Sequence, residues 1–94
     1  MTTNHTLYIG ASQHMKQIND CTIDLVVTSP PYPMIEMWDE IMSDQNPQIK
    51  KYIESEPEKA FELMHQELDM VWKECFRVIK PGGFLCINIG DATR

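Results

Sequence analysis

The stretch Ser29-Pro30-Pro31-Tyr32 carries the residues best suited to chemistry in this chain of 94 residues. Proline fixes the backbone φ angle and has no amide hydrogen, so the Pro30 carbonyl is offered as an acceptor on a stiff backbone. The Ser29 hydroxyl is a second acceptor, and the Tyr32 ring is a flat surface. This combination suits a planar ligand with an exocyclic amino group, because two acceptors can hold both N–H hydrogens while the rings stack.

Holding an aromatic amine in this way also changes its reactivity. The lone pair of such an amine is conjugated into the ring, so the nitrogen is a poor nucleophile. Acceptors on both hydrogens favour a tetrahedral nitrogen, which can attack a methyl group without a covalent enzyme intermediate. An amine that belongs to a base in duplex DNA is buried in the stack, so the base must be flipped out to reach the site.

Two other interpretations of the motif stay open at this point. It could be a turn that merely ends a strand, or a proline-rich docking segment, since residues 30–33 fit the pattern P-x-x-P. The docking interpretation requires an exposed polyproline segment. The preceding residues, 21–28, are nearly all apolar from Ile23 and indicate a strand covered on both faces, as in parallel sheets. Ligands bind beyond the carboxyl ends of such strands, which favours a site at Ser29 to Tyr32.

The N-terminal residues predict a second strand and a helix. Residues 6–10 (TLYIG) are β-rich and end in glycine, which predicts a strand followed by a turn. Residues 11–19 carry Met15 and Ile18 at a spacing of three, which predicts a short helix. With the strand over residues 21–28, these elements would form a βαβ unit.

The residues after the motif predict helices and a last strand. Residues 34–54 are interpreted as an insertion or lid with helical turns, interrupted at Pro47. A long helix is predicted over 56–79, with a capping box of Ser55 and Glu58 and with Pro57 in its first turn. Its apolar stripe comprises Phe61, Met64, Leu68, Val71, Trp72, Cys75, Phe76 and Ile79. Residues 80–83 (KPGG) stop that helix, since glycine accepts a positive φ, and residues 84–90 predict the final strand.

The order of these elements predicts an α/β fold with a parallel sheet and flanking helices. Three strands are few for such a sheet, and the last one has the sequence of an internal strand. We therefore expect residues 1–94 to be part of a larger fold or to be completed by another chain, with an oligomer as a further option.

Composition limits the classes of function. The net charge of −6 disfavours a protein that grips a polyanion over its whole surface, although it leaves room for a local nucleic-acid site. Three unevenly spaced cysteines predict neither a disulfide framework nor a metal site and favour a reducing, cytoplasmic setting. No apolar run approaches the roughly 20 residues of a membrane span. The three histidines, His5, His14 and His65, are predicted to be surface residues.

The sequence TSPPY after IDLVV, with LYIG near the N-terminus, resembles the amino-methyltransferases of restriction-modification systems. It is most similar to the permuted class, whose catalytic motif precedes the cofactor motif. Serine in the first motif position resembles the N4-cytosine enzymes, whereas the N6-adenine enzymes usually have aspartate. The KPGG segment before a strand is widespread among methyltransferases that use S-adenosylmethionine.

The resemblance implies a partial Rossmann-like methyltransferase fold and a role for each motif residue. Ser29 and the Pro30 carbonyl would orient the target amine, Tyr32 would stack on a flipped cytosine in DNA, and Pro31 would be structural. The residues implied to contact S-adenosylmethionine are Gly10, Ala11, Ser12 and Thr28.

The glycine-rich cofactor motif of the family is expected beyond Arg94. The chain alone is therefore expected to be a catalytically incomplete fragment or subunit of an enzyme for N4-cytosine methylation of DNA. The alternatives are an N6-adenine enzyme and a non-catalytic α/β interaction module.

Overall fold

The computed structural model describes residues 2–32 and 36–89. In chain order its elements are strand β1 (Ile23–Thr28), helices α1 (Glu36–Gln45), α2 (Pro47–Tyr52) and α3 (Pro57–Val78), and strand β2 (Ile79–Ile87). The two strands are adjacent and parallel, and the three helices form the connection between them. This arrangement confirms the predicted α/β class with parallel pairing and flanking helices.

Strand β1 begins two residues later than the sequence pattern predicts. Cys21 has a φ of +52°, in the left-handed region, so an extended strand cannot run through it. The Cys21 and Thr22 N–H groups donate to the Arg77 and Val78 carbonyls at 2.9 and 2.8 Å, which fixes the entry of the strand against the end of α3.

The two N-terminal elements predicted from the sequence are wrong. Residues 6–10 pair with no strand in the described part of the chain, and Leu7 and Ile9 are 84% and 92% exposed. Residues with a high β-propensity form a strand only where a neighbouring strand is available to pair with them. Residues 11–19 form successive turns instead of a helix, because the Met15 and Ile18 carbonyls accept hydrogen bonds from the Arg77 side chain. The predicted N-terminal βαβ unit is therefore not formed.

Helices α1 and α2 occupy most of the segment interpreted as an insertion or lid. The predicted interruption at Pro47 is confirmed, since Pro47 is the first residue of α2. The Asn46 side chain caps α2 by accepting from the Gln48 N–H at 3.1 Å. Both helices pack against α3, but a lid function stays a prediction.

Helix α3 confirms the predicted long helix, but its predicted capping box is wrong. The N-cap residue is Glu56, whose side chain makes no capping hydrogen bond. Ser55 precedes the N-cap, and its hydroxyl donates instead to the Lys51 carbonyl of α2 at 3.3 Å. Pro57 lies in the first turn as predicted.

The helical part of the chain has its own hydrophobic core. The buried members are Met42, Ile49, Ala60, Met64 and Leu68. Of the predicted stripe on α3, Met64, Leu68 and Cys75 are buried, whereas Phe61 and Phe76 are 45% and 87% exposed. Phe76 follows Cys75 directly and therefore points about 100° away from it around the helix axis, off the buried side.

The KPGG segment forms an irregular start to β2. Ile23 pairs with Ile79 and Leu25 with Phe84, so Asp24 alone lies opposite residues 80–83. Gly82 has a φ of +84°, which confirms the predicted positive φ in this segment. At Gly83 a Cβ atom would approach the Asp24 carbonyl oxygen to 2.9 Å, so a larger residue does not fit without displacement. The Lys80 ammonium pairs with Asp24 at 3.1 Å.

The two faces of the parallel pair differ in exposure. Residues paired in register share a face, so Leu25, Val27, Phe84 and Cys86 lie together on one side. Leu25, Val27 and Phe84 are 52%, 70% and 69% exposed, and we call this side the open face. Coverage of β1 on both faces, expected from its apolar sequence, is not provided by residues 2–32 and 36–89.

The molecule is elongated, with principal extents of 53 × 27 × 23 Å. Its radius of gyration of 15.4 Å exceeds the roughly 12 Å of a compact domain of this length. Among the described segments, no helix combines the length and apolar character needed to cross a membrane.

Candidate active site

The Ser29–Tyr32 motif starts where the two parallel strands end together. Thr28 is in register with Ile87, and the Thr28 carbonyl accepts from the Asn88 N–H at 2.8 Å. This bond closes the pairing one residue before Ser29. The motif therefore follows the carboxyl end of a strand, which is the edge where ligands bind in open parallel sheets.

The four motif residues differ in exposure. Ser29 is exposed, and Pro30, Pro31 and Tyr32 are half-buried. Tyr32 is thus outside the packed interior, and part of its side chain is accessible. Residues 33–35 lie outside the described part of the chain. The roles of Ser29, Pro30, Pro31 and Tyr32 on a target base stay predictions.

Three of the four residues predicted to contact the cofactor line one cavity. Gly10, Ala11 and Ser12 border a space of about 300 Å³, together with neighbours between Thr6 and Ile18. Thr28 is not among the residues that line it. Ligand pockets have volumes of roughly 300 to 1,000 Å³, so this cavity is at the lower limit. The Ser12 hydroxyl is a polar group in its wall. Contact of these residues with S-adenosylmethionine stays a prediction.

Residues 13–20, which we call the strap, lie along α3. The Gln13 side-chain amide donates to Gln45 of α1 at 3.0 Å and to Glu67 of α3 at 3.3 Å. Ten residues further along α3, the backbone around Cys21 is bonded to Arg77 and enters β1. The strap therefore connects the cavity wall to the strand that leads to Ser29.

Arg77 and Glu74 hold the middle of the strap. The Arg77 guanidinium donates to the Met15 and Ile18 carbonyls, at 2.8 Å each, and to the Asp20 carboxylate at 2.7 Å. It also forms a two-point pair with Glu74, at 2.9 and 3.0 Å. Glu74 in turn accepts from the Met15 N–H at 2.6 Å. Charge-assisted bonds of this kind are stronger than neutral ones.

This network shifts the ionisation of both partners. The Arg77 hydrogen bonds, followed by that of the Met15 N–H, lower the pKa of Glu74 from 4.5 to about 2. Hydrogen bonds to Glu74 and Asp20 raise the pKa of Arg77. The pair is therefore ionised throughout the neutral range. Burial and the Glu74 charge raise the pKa of the neighbouring Cys75 thiol, which disfavours its reactive thiolate.

An apolar groove between α3 and β2 was not anticipated from the sequence. Its volume is about 600 Å³, and its lining includes Trp72, Phe76, Leu85 and residues 80–83. The apolar stripe on α3 could have indicated this groove, because the stripe is wider than the one face that packs in the helical core. Phe76 lies on the side of the stripe that borders the groove.

The DNA methylase family model matches residues 23–94, which include both strands, all three helices and the Ser29–Tyr32 motif. This chain belongs to the DNA methylase family. The match confirms the resemblance to restriction-modification DNA methyltransferases. The name of the family model joins the N6 and N4 enzymes, so the match does not distinguish an adenine target from a cytosine target.

Curated relatives of this methylase chain are type II methyltransferases. The chain is 49% identical to M.MthZI of Methanothermobacter thermautotrophicus and 49% identical to M.MjaI of Methanocaldococcus jannaschii, over its full length in both cases. It is 32% identical to M.HpaI of Haemophilus parainfluenzae over 86% of its length. The chain spans only 27%, 35% and 21% of these relatives, respectively. No solved structure gave a significant match.

The remaining predicted features of the methylase chain concern its histidines and metal binding. His5, His14 and His65 are exposed, which confirms their prediction as surface residues. Within residues 2–32 and 36–89, no group of three or more His, Cys, Asp or Glu side chains is placed to hold a metal ion.

Proposed function

We propose that this chain carries the target-amine site of a DNA methyltransferase that modifies the N4 amine of cytosine. The observation that supports this most directly is the position of Ser29–Tyr32. The motif follows the paired carboxyl ends of β1 and β2 in a chain of the DNA methylase family. The chain acts in this proposal as one part of an enzyme, since its relatives are about three to four times longer.

Each motif residue has one task in the proposed reaction. The Ser29 hydroxyl and the Pro30 carbonyl accept the two hydrogens of the cytosine amine, and Tyr32 stacks on the base. Pro31 keeps the backbone stiff, so these acceptors do not reorganise during the reaction. S-adenosylmethionine would supply the methyl group from its sulfonium centre. The amine nitrogen would bond to the methyl carbon as the carbon–sulfur bond breaks and a neutral thioether leaves, and the amine would lose one proton to solvent.

The choice of cytosine over adenine rests on serine at position 29. A hydroxyl accepts one amine hydrogen as a neutral group, whereas the aspartate usual in N6-adenine enzymes accepts it as a charged one. The exposed Ser29 leaves room for a base at this position. N6 of adenine is the second candidate, and identification of the methylated base separates the two.

The proposed partners are DNA with a flipped base and the remainder of the methylase domain. Parallel sheets are normally covered on both faces, and Leu25, Val27 and Phe84 of the open face are more than half exposed. The remainder of the domain, on the same polypeptide or on a second chain, would cover them. A non-catalytic interaction module would use this face in the same way but would not transfer a methyl group.

The test uses the methylase that contains this segment, either as one polypeptide or as this chain combined with the remainder of the domain. It is incubated with DNA and S-adenosylmethionine, and the nucleosides are identified by mass spectrometry. We expect N4-methylcytosine. Assembly without methyl transfer to either base would favour the interaction module, and N6-methyladenine would correct the target base.

Substitutions at two positions of the motif test the site itself. Ser29→Ala removes one acceptor and is expected to lower kcat by about 100-fold while leaving cofactor affinity nearly unchanged. Ser55→Ala, which removes an exposed hydroxyl at the end of α2, is the matched control and should keep full activity. Tyr32→Phe should retain stacking, and Tyr32→Ala should lose it. Equal losses of kcat and cofactor affinity in Ser29→Ala would show that Ser29 is part of the scaffold.

A further inference from the structure

The strap has little structure of its own. Its backbone forms turns, with hydrogen bonds from the His14 N–H to Ala11 at 3.2 Å and from the Ile18 N–H to Met15 at 3.1 Å. Residues 11–20 are exposed except for Gln13, Met15 and Ile18, which are half-buried. The position of the strap therefore depends on the side chains that hold it from outside.

The residues that hold it are spaced along α3. Glu67 binds the Gln13 side chain, and Glu74 binds the Met15 N–H. Arg77 binds the Met15 and Ile18 carbonyls. Of these three residues, Arg77 alone contacts two backbone carbonyls of the strap. Because its guanidinium group is rigid, it fixes the distance between the two carbonyls as well as the position of each.

The same strap residues line the cavity of Gly10, Ala11 and Ser12. Met15 and Ile18 belong to its lining, and both present their carbonyls to Arg77. The shape of the cavity consequently depends on a pair of charged side chains that lie on another element and do not belong to its lining.

We propose that Glu74 and Arg77 are positioning residues for S-adenosylmethionine: they hold the strap on α3 and so fix the cavity wall that contacts the cofactor. This rests on the proposed function, because it takes the cofactor to be the ligand of that cavity. The Arg77 backbone carbonyl also accepts from the Cys21 N–H, two residues before the strand that leads to Ser29. One residue of α3 therefore contacts both the cavity wall and the approach to the motif.

Three variants separate the strap contacts from the salt bridge on the helix. Arg77→Ala removes both. The double exchange Glu74→Arg with Arg77→Glu keeps an oppositely charged pair at a spacing of three on α3, but it puts a carboxylate, which has no donor, at position 77 beside the Met15 and Ile18 carbonyls. Arg77→Lys keeps the charge and has one ammonium group in place of the guanidinium fork. Lys73→Ala, at an exposed cation one residue from Glu74, is the control.

The first measurement is amide hydrogen exchange at Met15 in the same methylase preparation. Exchange should become at least about tenfold faster in Arg77→Ala and in the double exchange, since each loses charge-assisted bonds. It should be intermediate in Arg77→Lys and unchanged in Lys73→Ala. The Thr22 amide, bonded to the Val78 backbone, should keep its protection in every variant and so report that the fold is intact.

The second measurement is the affinity for S-adenosylmethionine, by calorimetry, together with KM and kcat for methyl transfer. The cofactor Kd and KM should rise about tenfold in Arg77→Ala and in the double exchange, with kcat at saturating cofactor changed far less. A double exchange that behaves like the unmodified protein would overturn the proposal, because the helix salt bridge alone would then suffice. Faster Met15 exchange with an unchanged cofactor Kd would also overturn it.

Failure of the proposed function gives a different result. The unmodified methylase would then bind no S-adenosylmethionine, although the Met15 amide would still lose its protection in Arg77→Ala. That outcome would refute the cofactor role of the pair and leave the strap as a purely structural element.

Discussion

The Arg77 guanidinium donates to the Met15 carbonyl at 2.8 Å, across 62 positions of the sequence. Met15 is also bonded through its N–H to Glu74, so both polar groups of one backbone unit are held by a pair of charged side chains. Bonds of this length and charge fix a segment that has no strand or helix to order it. The N-terminal region of this methylase is therefore organised by α3.

Acidification is expected to release the strap only at very low pH. The folded pKa of Glu74 is lowered from 4.5 to about 2, so the stabilisation by its ionised form is complete above about pH 4.5 and is lost as pH falls toward 2. The Met15 amide chemical shift, followed by NMR, should titrate with a midpoint near 2. In Glu74→Gln the step should disappear, and a midpoint near 4.5 would contradict the observed pairing.

Gly83→Ala should destabilise the fold by about 1–3 kcal/mol. Its Cβ would lie 2.9 Å from the Asp24 carbonyl oxygen and 3.0 Å from that of Lys80, which are backbone atoms that cannot rotate away. Urea denaturation of the methylase measures the change. Gly10→Ala is the control, because no atom lies within 4 Å of its added Cβ and little loss of stability is expected. Equal stability of the two variants would show that the strand pairing adapts.

Met64→Ala should cost about 2–5 kcal/mol of unfolding free energy, since Met64 is fully buried in the core formed by the three helices. Met70→Ala on the same helix removes a side chain that is 37% exposed and should cost less than about 1 kcal/mol. Thermal denaturation distinguishes the two. Similar shifts in Tm would mean that the helical core does not limit the stability of the whole domain.

Val27→Asp tests the proposal that the remainder of the domain covers the open face. Val27 is 70% exposed here, so a charge at this position should leave the isolated fold nearly unchanged. Burial of that charge against the remainder of the domain would cost several kcal/mol, which should greatly weaken assembly measured by analytical ultracentrifugation. Gln66→Asp, at an exposed position on α3, should assemble normally. Undiminished assembly of Val27→Asp would show that this face stays in solvent.

The elements with strong local signals were predictable from the sequence. The long amphipathic helix, its proline start and the strand before Ser29 follow from periodicity and local sterics, and all three are present. The interruption at Pro47 also depends on a residue that acts within its own backbone. Proline and a helical periodicity determine the backbone conformation of adjacent residues, so their effect does not depend on residues that are distant in sequence.

The N-terminal region could not be predicted in the same way. Residues 6–10 have the composition of a strand, but a strand requires a partner that composition does not supply. The turns around Met15 depend on Arg77, which is remote in sequence, and no local pattern reports such a contact. The capping box was also wrong, because α3 begins one residue later than that pattern requires, with Glu56 as its N-cap.

The irregular pairing at the start of β2 means that insertions and deletions have different effects at different positions of this strand. Residues 80–83 lie opposite Asp24 alone, so an added or deleted residue there can be absorbed before the regular pairing begins at Leu25 and Phe84. The same change between Phe84 and Ile87 would move every later pair and turn side chains to the opposite face. Length variation in this chain should thus be tolerated at the KPGG segment, while the four pairs beyond it keep Ser29 at a constant position beyond the end of the sheet.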